Sequence, residues 1–121
     1  MVNELGKVTI LNGLTGKKYQ FSLWSFEVFD DVKNTFTGGG LYLFTKRYSD
    51  GEVYRHSYIY LGETGDYFTR FNNHHKEQSI KFFKANCIGF YPMLNATEEN
   101  RKLAERDLLN NYNFPCNTDN N

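Results

Sequence analysis

Short runs in which apolar and polar side chains alternate recur along this chain. Two of them, KVTIL at 7–11 and KYQFSLWSF at 18–26, are separated by Asn-Gly and Thr-Gly steps that favour turns. Two more, LYLFTKRY and EVYRHSYIYLG, flank Ser49-Asp50-Gly51, and an Asp-Gly step between strand-like runs is typical of a hairpin. The pattern therefore predicts two β-hairpins.

The rest of the chain carries helical signals and one more strand. Thr64 or Asp66 is placed to cap a helix over 66–75, because either side chain offers an oxygen to the free amides of a first turn. The last helix is predicted to begin near Asn95, where Asn95-x-x-Glu98 is similar to a capping box, and to stop before Pro115. The remaining assignments are a loop at 27–37, a short helix or ordered loop at 76–85, and a strand at about 86–93. This order predicts one α+β domain.

Composition narrows the class of protein. With 121 residues, of which 17% are aromatic, the chain is long and aromatic enough to bury a core. Fourteen acidic and fourteen basic residues cancel, so net charge does not by itself indicate a polyanion as partner. Cys87 and Cys116 are far apart and predict reduced thiols, and no run is apolar enough for a membrane span. We expect a cytoplasmic protein with no membrane partner.

Arg70 and His74 are four residues apart, so on a helix they share a face. The planar guanidinium of arginine suits phosphate or carboxylate, and histidine exchanges protons near neutral pH. The alternative is an ordinary amphipathic helix with both residues at its surface. In the same way, Tyr42 and Tyr60 on predicted strands could be core residues with no chemical role.

Glu105 is the more informative residue. On a helical wheel of about 100° per residue, it falls between Tyr112 and Leu109, inside the apolar arc of the last helix. A carboxylate there is costly unless a cation or several donors satisfy it. Arg101, four residues earlier, offers one explanation, and a Mg²⁺ ion that keeps most of its waters offers another. The pattern leaves both open.

Other sites are disfavoured by the sequence. His56 and His75 have no nearby ligands that would define a zinc cage. The Gly38-Gly39-Gly40 run precedes a strand rather than following one, so it is not a phosphate-binding loop of the usual kind.

Taken in order, these residues resemble the GIY-YIG endonuclease superfamily. Gly40-Leu41-Tyr42 corresponds to GIY and Tyr60-Leu61-Gly62 to YIG. The stretch YLGETGDYFTRFNNH is similar to the family pattern YIG-x-T-x-D-x-x-x-R-x-x-x-H, and LAERDLLNNYNFPCN to its helix and terminal Pro-x-Asn. The resemblance covers about residues 38–117.

The resemblance implies a small three-stranded antiparallel sheet flanked by helices, with strands at roughly 39–47, 53–62 and 86–92. Residues 1–37 would then be an extra N-terminal β-hairpin packed on the core, 38–117 the nuclease domain and 118–121 a polar tail.

The resemblance also implies metal-dependent hydrolysis of DNA. Glu105 would hold one Mg²⁺ or Mn²⁺ ion, and Tyr42 would take or relay the proton of an attacking water. Arg70 would neutralise charge on the phosphoryl oxygens. The positive field that favours the Tyr42 anion could come from Arg70, the metal and His74. The remaining catalytic positions, which would orient the reactants or hold the site together, are Tyr60, His74 and Asn117.

Two departures from the family bear on the substrate. The segment 43–59 between the tripeptides is longer than usual and would form an extended hairpin, whose Lys46 and Arg47 could contact DNA, as could Lys76. Residues 1–37 are too short for the separate DNA-binding domain that is usual in the family, so we expect weak, salt-sensitive binding.

Two alternatives to an enzyme remain. One is a catalytically silent module of the same fold that binds nucleic acid or a protein. The other is an interaction domain that forms a homodimer through its N-terminal hairpin. For the enzyme, the sequence leaves open whether the substrate is duplex, branched or single-stranded, and whether it is DNA or RNA.

Overall fold

The structure is a computed structural model that describes residues 8–32, 37–49, 51, 53–72 and 84–117. Its strands are β1 (Val8–Asn12), β2 (Lys18–Ser25), β3 (Gly40–Ser49), β4 (Tyr54–Thr64) and β5 (Cys87–Pro92). Its α-helices are α1 (Phe26–Val32), α2 (Tyr67–Asn72) and α3 (Glu98–Leu109), and a 3₁₀ turn covers Pro115–Asn117. The α+β class predicted from the sequence is confirmed.

All five strands form one antiparallel sheet in the order β1-β2-β5-β3-β4. The three strands predicted for the core are adjacent in it, but the predicted three-stranded sheet is too small. The N-terminal hairpin pairs with β5 through β2, with Trp24 opposite Ile88, and so extends the sheet. The free edge of β5 attracts the hairpin because unpaired backbone groups at a sheet edge favour the addition of a strand.

Apolar side chains cover both faces of the sheet. On β3, successive residues point to opposite faces. Leu41 and Leu43 pack in a cluster with Ala104 and Leu108 of α3. Tyr42 packs in a second cluster, on the other face, together with Tyr60, Ile88, Phe90, Phe29 of α1 and Tyr67 of α2. The sheet therefore lies between α3 on one side and the two short helices on the other.

The sheet is curled, so that its two edges approach each other. The Thr9 hydroxyl on β1 and the Tyr58 hydroxyl on β4 are hydrogen-bonded at 2.9 Å, although these are the outermost strands. Asp107 of α3 further fixes the hairpin by accepting from the Thr15 amide and the Tyr19 hydroxyl, both at 2.9 Å. The hairpin is thus tied to the helix that carries Glu105.

Two predictions of local structure are wrong. Residues 26–32 form α1 rather than a loop, because Phe26 and Phe29 gain burial against the sheet and the Ser25 hydroxyl accepts from the Val28 amide at 3.3 Å. The last helix begins at Glu98, and its N-cap is Thr97, whose side chain accepts from the Asn100 amide. Asn95 cannot serve as that cap, since its φ of 59° lies in the left-handed region, whereas an N-cap is extended.

Other predictions fall outside the described residues. These are most of the segment 76–85 and the tail at 118–121. None of the described helices is long and apolar enough to cross a membrane.

Candidate active site

Tyr42 and Tyr60 meet on the sheet face that lies under α1 and α2. Their ring centroids are 6.1 Å apart, and a hydrogen bond joins the two hydroxyl groups. Tyr42 lies opposite Gly62 and Tyr60 lies opposite Phe44, so the two phenols come from diagonal positions of adjacent strands. Both side chains are almost fully buried, with 1% of Tyr42 and 7% of Tyr60 exposed.

Gly62 makes this arrangement possible. A Cβ atom at Gly62 would overlap the Tyr42 ring and hydroxyl. The ring therefore lies across the glycine, and any larger residue would force it away from Tyr60. This explains in physical terms why the tripeptide on β4 ends in glycine.

Arg70 is brought to the same region by α2. The Asp66 side chain caps this helix by accepting from the Phe68 amide at 3.1 Å, which confirms one of the two predicted caps. Tyr67 anchors the helix to the sheet, since its buried hydroxyl donates to the Leu41 carbonyl at 2.8 Å. Arg70 then lines a surface hollow with Thr64, Gly65, Asp66 and Thr69.

The Arg70 guanidinium has a donor to spare. Its Nε atom is buried and has no hydrogen-bond partner among the described residues. Buried donors are paired in most proteins, and Arg70 also lines the surface hollow, so its guanidinium is suited to an anionic ligand there.

Glu105 lies half-buried on α3, as its place in the apolar arc predicted. Burial and the nearby Glu63 carboxylate raise the pKa of Glu105 from 4.5 to about 7, against the opposing effect of Lys102 and Arg106. Glu105 forms no hydrogen bond or ion pair within the part of the chain that the structure describes. Its carboxylate is therefore costly to ionise in the absence of a cation.

Of the two explanations for Glu105, the ion pair with Arg101 is wrong. The Arg101 Nε atom instead donates to Glu63 Oε1 at 3.0 Å. Glu63 cannot be identified from the sequence as the partner of Arg101. Its position just after Gly62 gave no signal by itself, because only the packing of α3 on β4 brings it to the helix.

Arg70 and Glu105 both lie near enough to the two tyrosines to affect their pKa. The Glu105 carboxylate raises the pKa of both Tyr42 and Tyr60, and the Arg70 guanidinium lowers the pKa of both. The four groups come from β3, β4, α2 and α3, and α3 packs on the opposite face of the sheet. Because β4 is an edge strand, we infer that the groups meet at that edge.

Arg70 by itself does not provide the predicted electrostatic activation of the tyrosines; the predicted contributions of a metal and of His74 stay predictions. Burial raises the pKa of Tyr42 well above its usual value and also raises that of Tyr60; the opposing effect of Arg70 is smaller. Both phenols are therefore protonated at neutral pH and serve as hydrogen-bond donors. Further positive charge would be needed before either could act as a base.

The Asn117 side chain forms hydrogen bonds with the backbone of β4. Its Nδ2 atom donates to the Leu61 carbonyl and its Oδ1 accepts from the Leu61 amide, both at 2.9 Å. The side-chain amide thus takes the place of a neighbouring strand at the residue next to Tyr60. This contact supports a positioning role for Asn117.

Two of the predicted substrate-binding residues, Lys46 and Arg47, lie in the second half of β3. Lys46 is exposed on the same face of β3 as Tyr42, whereas Arg47 points to the opposite face and lies over the Tyr54 ring at 4.9 Å. The ribbon that carries them extends beyond β5, whose pairing with β3 ends at Thr45. His74 and Lys76 lie outside the described residues, so their placement stays a prediction.

A divalent ion would have to be held here by few protein ligands. No group of three or more His, Cys, Asp or Glu side chains suited to a metal occurs within the described ranges. Mg²⁺ often binds one or two carboxylates and keeps several waters. A half-buried, unpaired Glu105 with Glu63 nearby fits that mode of binding.

Comparisons of the chain with protein-family models, with curated proteins and with solved structures give no match. The GIY-YIG resemblance therefore stays a prediction. The chemical evidence for a site lies in its own groups: two buried phenols, a guanidinium with an open donor, and an unpaired carboxylate.

Proposed function

We propose that the protein is a metal-dependent endonuclease with a GIY-YIG-like site, which hydrolyses phosphodiester bonds of DNA. The observation that carries the proposal is the contact of two buried tyrosines, with ring centroids 6.1 Å apart, near enough to Arg70 and Glu105 for both charges to affect their pKa. An arginine and a metal-binding carboxylate are the groups that an anionic, pentacovalent phosphoryl transition state requires.

Glu105 would hold the cation, Mg²⁺ or Mn²⁺, which when bound supplies a Lewis acid for the scissile phosphate. Binding would also end the cost of ionising this buried carboxylate, because a cation would replace its proton. Arg70, which lines the hollow, would direct its guanidinium to a non-bridging phosphoryl oxygen. In the reaction, the oxygen of water bonds to phosphorus as the bond to a deoxyribose oxygen breaks.

The tyrosines would act as a hydrogen-bonded pair. A hydrogen bond links the hydroxyl groups of Tyr42 and Tyr60, so a contact made by one phenol acts on the other. Tyr60 is the more exposed of the two, at 7% against 1%. We therefore assign contact with the substrate to Tyr60, and to Tyr42 the orientation of Tyr60 and relay of the proton that the attacking water loses.

DNA would run from the hollow beside Arg70 toward the β3–β4 ribbon. Lys46 lies on the same face of β3 as Tyr42, four residues away, or roughly 13 Å along an extended strand. That distance is about two phosphate spacings on a single strand, and the ribbon could also enter a groove of duplex DNA. The zero net charge of the chain predicts weak binding that falls steeply with salt.

A plasmid-nicking assay with Mg²⁺ or Mn²⁺ tests this function. We expect the parent protein to convert supercoiled DNA to the open circle, and Glu105→Gln to reduce the rate by at least about 100-fold. Glu99→Gln is the matched control, since Glu99 is an exposed carboxylate on the same helix and carries the same charge. Equal nicking by the Glu105→Gln protein would show a contaminating nuclease.

The near-complete burial of Tyr42 favours a second candidate, a catalytically silent module that binds DNA through the same surface. Such a module would bind oligonucleotides with equal affinity with and without divalent cations. It would lose affinity on Arg70→Gln but not on Glu105→Gln, and would nick no DNA with either metal.

A further inference from the structure

Beside Glu105, the Arg101 guanidinium is held by two acceptors. Its Nε atom donates to Glu63 Oε1 at 3.0 Å, and its Nη1 atom donates to the Ala96 carbonyl at 3.0 Å. Only 15% of either side chain of the Glu63–Arg101 pair is exposed. Both contacts are sheltered from water, so the guanidinium has one well-defined position.

This position leads away from Glu105. Arg101 and Glu105 are one helical turn apart, the spacing at which oppositely charged side chains normally pair. Ala96, however, precedes the helix, so the guanidinium is directed toward the N-terminal end of α3 while Glu105 lies toward the C-terminal end. Glu63 supplies the second anchor from β4.

We infer that Glu63 is a positioning residue, which keeps Arg101 away from Glu105 and so leaves the Glu105 carboxylate open to a cation. The inference rests on the proposed function, in which Glu105 binds the metal. Without Glu63, the acidic residues of α3 at pairing distance from Arg101 would be Glu98 and Glu105. Glu98 is exposed and already pairs with Lys102, so Arg101 would pair with Glu105, and that ion pair would compete with metal binding.

A purely structural tie between α3 and β4 would behave differently. If the Glu63–Arg101 pair only held the helix to the strand, loss of either partner would disturb Glu105 to a similar extent. Under the positioning role the two partners are not equivalent. Loss of Glu63 frees the Arg101 guanidinium to pair with the Glu105 carboxylate, whereas loss of Arg101 removes that guanidinium.

Mn²⁺ binding, measured by electron paramagnetic resonance without DNA, separates these cases. We expect Glu63→Gln to weaken Mn²⁺ binding by about tenfold, the effect of a partly buried competing ion pair. Arg101→Gln should bind at least as tightly as the parent, and the double variant should return to within about twofold of it, because the net local charge is restored. Glu99→Gln, with the same change of charge as Glu63→Gln, should have no effect. Equal weakening by both single variants, with no recovery in the double variant, would overturn the inference.

A second measurement needs neither metal nor nuclease activity. It is a double-mutant cycle on the unfolding equilibrium, with Arg101→Gln and Glu105→Gln made in the parent and in the Glu63→Gln background. In the parent, we expect the effects of the two substitutions on the unfolding equilibrium constant to be independent. In the Glu63→Gln background, we expect the effect of the double substitution to deviate from the product of the single effects by at least about threefold, in the direction of an attractive pair. Independent effects in both backgrounds would refute the exchange of partners.

These two measurements also distinguish failure of the inference from failure of the proposed function. If the parent binds no Mn²⁺ through Glu105, the proposed metal site is wrong, and the cycle alone decides whether Glu63 restrains Arg101. Should Glu63→Gln fail to fold, Glu63→Asp takes its place, since it keeps the charge but shortens the reach to Arg101. In the Glu63→Asp protein we expect some coupling between residues 101 and 105, but less than is expected when Glu63 is absent. Zero coupling would count against the inference.

Discussion

Replacing Glu105 by glutamine removes a half-buried carboxylate that has no cationic partner among the described residues. Glutamine has almost the same shape but no charge to desolvate. The substitution should therefore stabilise the metal-free protein under conditions in which Glu105 is ionised. A carboxylate kept for stability would have the opposite effect.

The magnitude follows from the pKa of Glu105, which burial raises from 4.5 to about 7. At about 1.4 kcal/mol per pH unit, this difference corresponds to about 3 kcal/mol, which we reduce to about 2 kcal/mol because the side chain is partly exposed to solvent. The folded state holds the proton more tightly than the unfolded state. The stabilising contribution of protonated Glu105 is thus complete below pH 4.5 and is lost as the pH rises through about 7.

Urea denaturation of the parent and of Glu105→Gln from about pH 4 to pH 8.5 measures this effect, and titrations common to both proteins cancel in the difference. We expect the free energy of unfolding of the parent to fall by about 2 kcal/mol relative to the variant across this range. At pH 8, about 10 mM Mn²⁺ acting on a site with a Kd of about 1 mM should restore about 1.4 kcal/mol to the parent and none to the variant.

A difference that does not change with pH would refute the burial of an unpaired carboxylate at position 105. A Glu105→Gln protein that is less stable than the parent at pH 8 without metal would show that Glu105 has a stabilising partner. Equal stabilisation of both proteins by Mn²⁺ would place any metal site elsewhere.

Three further substitutions test other parts of the structure. Gly62→Ala should cost about 2 kcal/mol of stability in thermal unfolding, because the new methyl group would displace the Tyr42 ring, whereas Ala for an exposed serine of β4 should have little effect. Asn117→Asp should destabilise by about 2 kcal/mol at pH 7, since a carboxylate cannot donate to the Leu61 carbonyl, and should recover part of this at pH 4; no recovery would exclude the lost donor as the cause. Lys46→Ala should weaken DNA binding and reduce the slope of log affinity against log salt by about 1, and an unchanged slope would exclude a phosphate contact.

Local sequence patterns were sufficient to predict the strands, but not all of the helices that pack on them. Alternation located β3, β4 and β5, because strand periodicity is visible within a few residues. Residues 26–32 have no such periodicity, and they are helical because Phe29 is buried against a sheet formed by distant residues. Thr97 and Asn95 are both good capping residues, and the choice between them depended on the left-handed conformation of Asn95.

In the candidate site too, the sequence indicated single residues but not the contacts that tertiary packing gives them. The helical wheel identified Glu105 as a carboxylate on an apolar arc, which the half-buried position confirms. It could not identify the partner of Arg101, because Glu63 reaches α3 only through the tertiary packing of β4. Nor could it show that burial, rather than neighbouring cations, sets the pKa of Tyr42 and Tyr60.

The central claim is that Tyr60, Arg70 and Glu105 share one phosphate. Its most direct test is a crystal structure of the protein with a cleavage-resistant phosphorothioate oligonucleotide and Mn²⁺, in which anomalous scattering locates the ion. We predict an Mn²⁺ peak within about 2.2 Å of a Glu105 carboxylate oxygen, bound to a phosphate that also contacts the Arg70 guanidinium and the Tyr60 hydroxyl. A phosphate bound away from Arg70, or an ion located away from Glu105, would contradict the account.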